Sequence, residues 1–75
     1  MTQQTIGKIW AEALNLSDIA EDDDFFALGG HSLIMAKIQV AITRELGVEI
    51  PMDELFRHST VKGISRHIES RLAVS

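Results

Sequence analysis

The sequence predicts an all-α fold, a small helical bundle of three principal helices and one short helix. Apolar residues recur at helical spacing in three segments of the chain, and no segment alternates apolar and polar residues as a half-buried strand does. With 75 residues, the chain (residues 1–75) is predicted to form a single domain. Because it contains no cysteine, apolar packing must hold that domain together without disulfides.

The first helix is predicted over residues 3–15. Its apolar positions follow the spacing i, i+3, i+4, i+7 and i+8, and they are Ile6, Ile9, Trp10, Ala13 and Leu14. A long connection follows over residues 16–31, and connections of this length in compact domains are often functional. Since Phe25 and Phe26 should not both lie in water, we expect at least one of them to pin the connection to the core.

The second helix is predicted over residues 32–46, with Gly47 ending it. Its core face is predicted to consist of Ile34, Met35, Ile38, Ala41, Ile42 and Leu46. Its outward face is predicted to consist of Leu33, Ala36, Lys37, Val40 and Arg44. A short helix is predicted over residues 52–57, and Ser59 or Thr60 is expected to cap the last helix. The apolar positions of that helix are Val61, Ile64, Ile68 and Leu72.

The charge balance excludes several classes of partner. The chain has 11 acidic and 7 basic residues and a net charge of −4, whereas nucleic-acid binding requires a basic face. No apolar run approaches the roughly 20 residues of a membrane span, and the first residues lack the features of a signal peptide. We therefore expect a cytoplasmic monomer. Met1, followed closely by the first helix, favours a short natural gene, although a domain excised from a multidomain synthetase could begin in the same way.

Ser32 lies at the predicted start of the second helix, directly after Gly29, Gly30 and His31. The glycines allow a tight turn, and free N–H groups at a helix start favour a negative group. A phosphate ester on Ser32 would occupy such an anion site. Serine is also a preferred N-cap, however, and these residues by themselves favour the interpretation that Ser32 only caps the helix.

Residues 24–33 resemble the attachment motif of peptidyl carrier domains, the thiolation domains of nonribosomal peptide synthetases. These domains belong to the phosphopantetheine-binding acyl carrier superfamily. The positions that carry the resemblance are Asp24, Phe25, Phe26, Leu28, Gly29, Gly30, His31, Ser32 and Leu33. The similarity extends to Ile9-Trp10, to residues 47–51, to Leu55-Phe56 and to Thr60-Val61, which covers nearly the whole chain.

The resemblance implies an acyl-carrier-like fold and a covalent cofactor. A phosphopantetheinyl transferase would move 4′-phosphopantetheine from coenzyme A onto Ser32, and the thiol of this arm would carry aminoacyl or peptidyl thioesters. The implied partners are that transferase and adenylation, condensation and thioesterase enzymes or domains. The carrier itself would catalyse nothing, and the resemblance implies a structural role for Asp24.

A docking face for these partners is expected on the outward side of the second helix. An apolar stripe that runs away from Ser32 favours partner binding over scattered surface residues. The residues are Leu33, Ala36, Lys37 and Val40, and the resemblance implies the same face. Met52 and Phe56 are expected either to extend this face or to belong to the core.

His31 helps to distinguish between classes of carrier domain. Acyl carriers of fatty-acid and polyketide synthesis usually have aspartate before the serine, and fatty-acid carriers are more acidic along the second helix. Here Glu45 is the only acid of that helix. Both features favour an ordinary amino-acid carrier. The alternatives are an acyl or aryl carrier and, from a different class, an unmodified helical interaction module in which Ser32 only caps a helix.

Catalytic and metal-binding roles find no support in the spacing of the polar residues. His31 adjoins Ser32, and neighbouring side chains on a helix do not face each other, so a serine nucleophile is not predicted. His31, His58 and His67 match no metal motif, and the latter two are expected to be solvated or to cap a helix. Residues 22–24 lack the spacing of a calcium loop.

Overall fold

The computed structural model describes residues 2–74, which form four helices. The helices are α1 (Thr2–Leu14), α2 (Ser32–Leu46), α3 (Met52–Arg57) and α4 (Val61–Val74). Within the described residues there is no named strand, and a single isolated antiparallel bridge joins Asp24 to Thr60. The prediction of three principal helices and one short helix is confirmed. None of these helices is both long and apolar enough to cross a membrane.

The end of α1 is set by Asn15, which adopts a left-handed conformation with φ of 58°. The N–H of Asn15 donates to the carbonyl of Glu12 at 3.3 Å, and the N–H of Leu16 donates to the carbonyl of Ala11 at 2.9 Å. This pair of bonds is the Schellman arrangement, in which asparagine can replace the usual glycine. The helix therefore stops one residue before the predicted end.

Gly47 ends α2 as predicted. Its φ of 67° and ψ of 23° place it in the left-handed region, and its N–H donates to the carbonyl of Thr43 at 2.9 Å. A side chain at this position would be strained, since L-residues rarely adopt this conformation. The local chemistry of a single glycine thus determines where the chain leaves the helix.

The core lies between α1, α2 and α4, with contributions from α3 and from the α1–α2 and α2–α3 connections. Its buried apolar residues are Ile6, Ile9, Trp10, Phe25, Met35, Ile38, Ile42, Ile50, Leu55, Val61, Ile64 and Ile68. The predicted core face of α2 is confirmed, because Ile34, Ala41 and Leu46 also pack against this cluster. Each fully buried large side chain contributes about 1.5–3 kcal/mol relative to exposure.

The long connection between α1 and α2 is pinned to the core by one of its two phenylalanines. Phe25 is fully buried, whereas the side chain of Phe26 is 50% exposed. The Phe25 ring meets Trp10 edge-on, with centroids 5.5 Å apart and planes at 69°. This geometry is favourable for aromatic pairs. The expected anchor is therefore Phe25.

The same connection is tied to the junction between α3 and α4. The N–H of Phe25 donates to the carbonyl of Ser59 at 2.7 Å, and the N–H of Lys62 donates to the carbonyl of Glu21 at 3.0 Å. These bonds occupy main-chain groups that would otherwise be unpaired near the core. Apolar burial and main-chain pairing together hold the connection in place.

The two phenylalanines should therefore respond differently to truncation. Phe25→Ala is expected to lower the free energy of unfolding by about 3–5 kcal/mol, because it opens a cavity in the core. Phe26→Ala is expected to cost about 1 kcal/mol, because a half-exposed ring loses mainly an aromatic contact. Urea unfolding followed by circular dichroism at 222 nm measures both variants. Equal losses for the two variants would contradict the assignment of Phe25 as the anchor.

Candidate functional site

Two adjacent glycines shape the approach to Ser32, each for a different reason. Gly29 has a φ of 89°, which L side chains rarely adopt. Gly30 has an ordinary conformation, but a Cβ added there would lie 2.4–2.6 Å from three atoms of the Phe25 ring. The predicted tight turn is present, and Gly30 is required by the close approach of the backbone to the buried anchor.

Ser32 is the first residue of α2, and its side chain is exposed. The N-cap position belongs to His31, which is extended with φ of −149° and ψ of 177° and makes no side-chain capping bond. The carbonyl of His31 accepts the N–H of Met35 at 3.0 Å. The alternative in which Ser32 serves as the N-cap is therefore wrong, because the serine has already entered the helix.

The hydroxyl of Ser32 is free and lies at the positive end of a helix of 15 residues. No hydrogen bond joins it to any group within residues 2–74. The first N–H groups of a helix have no partners within it, and the first turn of α2 contains no acidic residue. A phosphodiester on this oxygen fits the site, since it would meet open N–H groups and no like charge.

Asp24 organises the turn that precedes the glycines. Its Oδ2 accepts the N–H of Phe26 at 2.9 Å and the N–H of Ala27 at 3.2 Å. Its Oδ1 accepts the hydroxyl of Ser59 at 2.6 Å. These bonds stabilise the ionised carboxylate and, despite some desolvation, hold the pKa of Asp24 below its ordinary value, the Ser59 bond most of all. Their contribution to stability is present above that ordinary pKa and is lost as the pH falls through the lowered one.

The rest of the motif closes the turn through main-chain bonds. The N–H of the half-buried Leu28 donates to the carbonyl of Asp24 at 3.1 Å. The N–H groups of Gly29 and Gly30 donate to the carbonyls of Phe26 and Phe25 at 3.1 and 3.0 Å. The turn is thus bonded throughout, and it delivers the chain to the start of α2.

The outward face of α2 lies where the helical spacing places it. Leu33 and Val40 are 68% and 62% exposed, Lys37 is exposed, and Ala36 is half-buried. With Arg44 these residues line one shallow groove along the helix. Single exposed apolar residues are common on surfaces, whereas a contiguous row of them is more typical of an interaction site.

Met52 and Phe56 belong to the margin of the core. Both are half-buried and pack against the buried cluster. Phe56 also stacks on Phe26, with ring centroids 5.6 Å apart and planes at 16°. The stacked pair joins the α1–α2 connection to α3. Phe56 therefore packs against the core and also contacts the half-exposed ring of Phe26.

His58 caps the end of α3, as expected, with its N–H donating to the carbonyl of Glu54 at 3.0 Å, whereas the expectation for His67 requires correction. Neither is simply solvated, because both are half-buried and their rings stack with centroids 4.5 Å apart. His67 Nε2 contacts Glu54 Oε1, and Arg71 lies 3.6 Å from the same oxygen. The two histidines are nine positions apart in the sequence, but the α3–α4 turn folds His58 back over α4. Within residues 2–74 no group of three or more histidine, aspartate or glutamate side chains is placed to hold a metal ion.

Ser59 is the residue of this region that sequence reasoning assigned incompletely. We expected Ser59 or Thr60 to cap α4, and Thr60 does so by accepting the N–H of Gly63 at 3.0 Å. Ser59 instead binds Asp24, from which it is 35 residues distant in the chain. No periodicity or spacing in the sequence indicates a pairing over that separation.

Comparison with known proteins agrees with this geometry. Residues 4–68 match the family model described as "Phosphopantetheine attachment site". Surfactin synthase subunit 3 of Bacillus subtilis is 43% identical over 68 residues, which are 91% of this chain and 5% of that protein. Bacitracin synthase 3 of Bacillus licheniformis is 36% identical over 69 residues, which are 92% of this chain and 1% of that protein. The chain thus spans only a few per cent of these relatives.

Solved structures share the fold closely. BlmI, a type-II acyl-carrier-protein of Streptomyces verticillus involved in bleomycin biosynthesis, has a TM-score of 0.91 at 31% identity, over 95% of this chain and 86% of its own. A peptidyl carrier protein, solved with coenzyme A and the phosphopantetheine transferase Sfp, has a TM-score of 0.89 at 30% identity, over 93% and 91% of the two chains. The chain belongs to the phosphopantetheine-attachment family, as a peptidyl carrier domain of the nonribosomal peptide synthetase kind.

Proposed function

We propose that Ser32 is the attachment point of 4′-phosphopantetheine and that the domain carries aminoacyl or peptidyl groups on this arm. The observation that carries the proposal is the free, exposed hydroxyl of Ser32 at the first position of α2. In the transfer, the serine oxygen forms a bond to the phosphorus of the phosphopantetheine in coenzyme A. The bond from that phosphorus to the nucleotide breaks, and the hydroxyl proton leaves to a base.

The arm supplies the thiol that the chain lacks. No cysteine is present in the sequence, so a thioester requires the thiol of the attached group. The protein contributes presentation, in keeping with the division of roles between cofactors and proteins. His31, which directly precedes Ser32, occupies the N-cap, and its side chain is exposed and makes no capping bond. We therefore assign the domain no catalytic step of its own.

The partners of this carrier follow from the proposed role. A phosphopantetheinyl transferase would modify Ser32, an adenylation enzyme would load the arm, and condensation and thioesterase enzymes would receive the cargo. Cytoplasmic localisation and a monomeric state remain part of the proposal. The match to BlmI, itself called an acyl-carrier-protein, keeps an acyl cargo as the second candidate.

The docking face is proposed to be the outward side of α2, formed by Leu33, Ala36, Lys37 and Val40. The apolar members provide area that a partner can cover, and Lys37 provides a charge beside them. An enzyme that reaches the end of an arm on Ser32 must also approach this end of α2. Charges at the rim of an interface act mainly on association rate and specificity.

Attachment at Ser32 can be tested by intact-mass spectrometry. After incubation with coenzyme A and a broad-specificity phosphopantetheinyl transferase, the wild-type mass is expected to rise by one phosphopantetheine unit. Ser32→Ala should not change, because it lacks the nucleophilic oxygen. Ser70→Ala, at an exposed serine of α4, is the matched control and should be modified like the wild type. An unmodified wild type, or a modified Ser32→Ala, would refute the proposal.

The docking face can be tested by charge reversal. Lys37→Glu is expected to lower kcat/KM for attachment about tenfold at low salt, with a smaller effect at high salt because screening weakens the interaction. Arg66→Glu makes the same change of charge on the exposed surface of α4 and should have little effect. Circular dichroism checks that both variants remain helical. Equal effects of the two reversals would show that net charge, and not this face, controls the reaction.

A further inference from the structure

The two hydroxyl residues between α3 and α4 have different partners. Thr60 Oγ1 accepts the N–H of Gly63 at 3.0 Å and so caps α4. Ser59 Oγ donates to Asp24 Oδ1 at 2.6 Å, and the carbonyl of Ser59 accepts the N–H of Phe25 at 2.7 Å. Ser59 therefore holds the α1–α2 connection through its side chain and its main chain together.

The Asp24 carboxylate connects Ser59 to the turn that precedes α2. While one oxygen binds Ser59, the other accepts the N–H groups of Phe26 and Ala27. The same turn ends where the N–H of Gly30 donates to Phe25, two residues before Ser32. The hydroxyl of Ser59 thus restrains an ionised acceptor on which the turn depends, and such charge-assisted bonds are stronger than neutral ones.

A fixed orientation of the carboxylate matters because the Ser32 hydroxyl has no restraint of its own. Its side chain is exposed and unbonded within the described residues, so its position follows from the backbone of the first turn of α2 and of residues 25–31, which lead into it. An enzyme that captures a mobile serine must order the segment at the moment of binding, which costs affinity. A segment that is already ordered avoids that cost and places the oxygen for reaction.

We propose that Ser59 is a positioning residue for the modification of Ser32. Its hydroxyl holds the Asp24 carboxylate in the orientation that closes the turn, and the closed turn orders the backbone that leads to Ser32. This inference rests on the proposed function of Ser32. A residue of the α3–α4 junction would then influence a reaction that takes place at the start of α2.

The test compares Ser59→Ala, Ser59→Thr and Thr60→Ala. Steady-state attachment with coenzyme A and a broad-specificity transferase gives kcat and KM for each, at a temperature where circular dichroism shows all of them folded. Ser59→Ala should lower kcat/KM about tenfold, mainly by raising KM, because the hydrogen bond to a charged acceptor is lost. Ser59→Thr keeps the hydroxyl and should restore attachment to within about twofold of the wild type.

Thr60→Ala is the matched control, since it removes the neighbouring hydroxyl and the α4 cap but leaves Asp24 bound. It should lower the urea midpoint while attachment stays at the wild-type level. Amide resonances of Phe26 and Ala27 in ¹⁵N spectra should shift in Ser59→Ala and stay in place in Thr60→Ala.

Two results would refute the role of Ser59 while leaving the proposed function of Ser32 unaffected, provided that the wild type is still modified. One is wild-type kcat/KM in Ser59→Ala. The other is an equal loss in Thr60→Ala, which would assign the effect to general stability. Failure of the wild type to accept the arm would refute the proposed function itself, and this inference with it.

Discussion

The burial of Phe25 is the interaction on which the rest of the structure depends. The ring lies edge-on to Trp10 inside the core, and Gly30 lies so close to the same ring that there is no room for a Cβ. The chain therefore touches the core at Phe25, turns through exposed residues, and returns against the Phe25 ring at Gly30 before α2 begins. Since Ser32 follows two residues after Gly30, its place on the surface is determined by an apolar contact beneath it.

In this very small domain, the residues that stabilise the fold are distinct from the exposed serine at the start of α2. A chain of 75 residues buries a modest fraction of its surface and has little stability to spare. The domain uses apolar packing and a hydrogen-bonded turn to hold the segment, and leaves the hydroxyl of Ser32, the proposed attachment point, unbonded within the described residues. A carrier needs no cleft, because its arm reaches into the sites of other enzymes.

Much of this structure could be predicted from the sequence because its determinants are local. Helical periodicity identified the buried and outward faces of α2, and Gly47 ended that helix through its own backbone preference. The predicted end of α1, at Asn15, lies one residue beyond the observed end at Leu14. The sequence does not show that Asn15 adopts a left-handed conformation instead of continuing the helix. The resemblance to carrier domains selected Ser32 as the attachment point, whereas the local residues alone favoured a helix cap.

The features that could not be predicted are contacts between distant segments. Nothing local distinguishes Phe25 from Phe26, because the choice depends on which ring meets Trp10 after folding. Ser59 and Thr60 offer the same hydroxyl, and only the approach of Asp24 separates their roles. The stacking of His58 on His67 likewise arises from the turn between α3 and α4 and from no spacing in the sequence.

Amide hydrogen exchange of the wild-type domain tests most directly whether the connection is held as a rigid presenter of Ser32. The N–H groups of Phe25 and Gly30 donate to Ser59 and Phe25, so they should be protected to within about tenfold of the core amides of α1 and α2. The amide of Ser32, at the open start of the helix, should exchange quickly. Rapid exchange at Phe25 and Gly30, as in a free loop, would contradict the account.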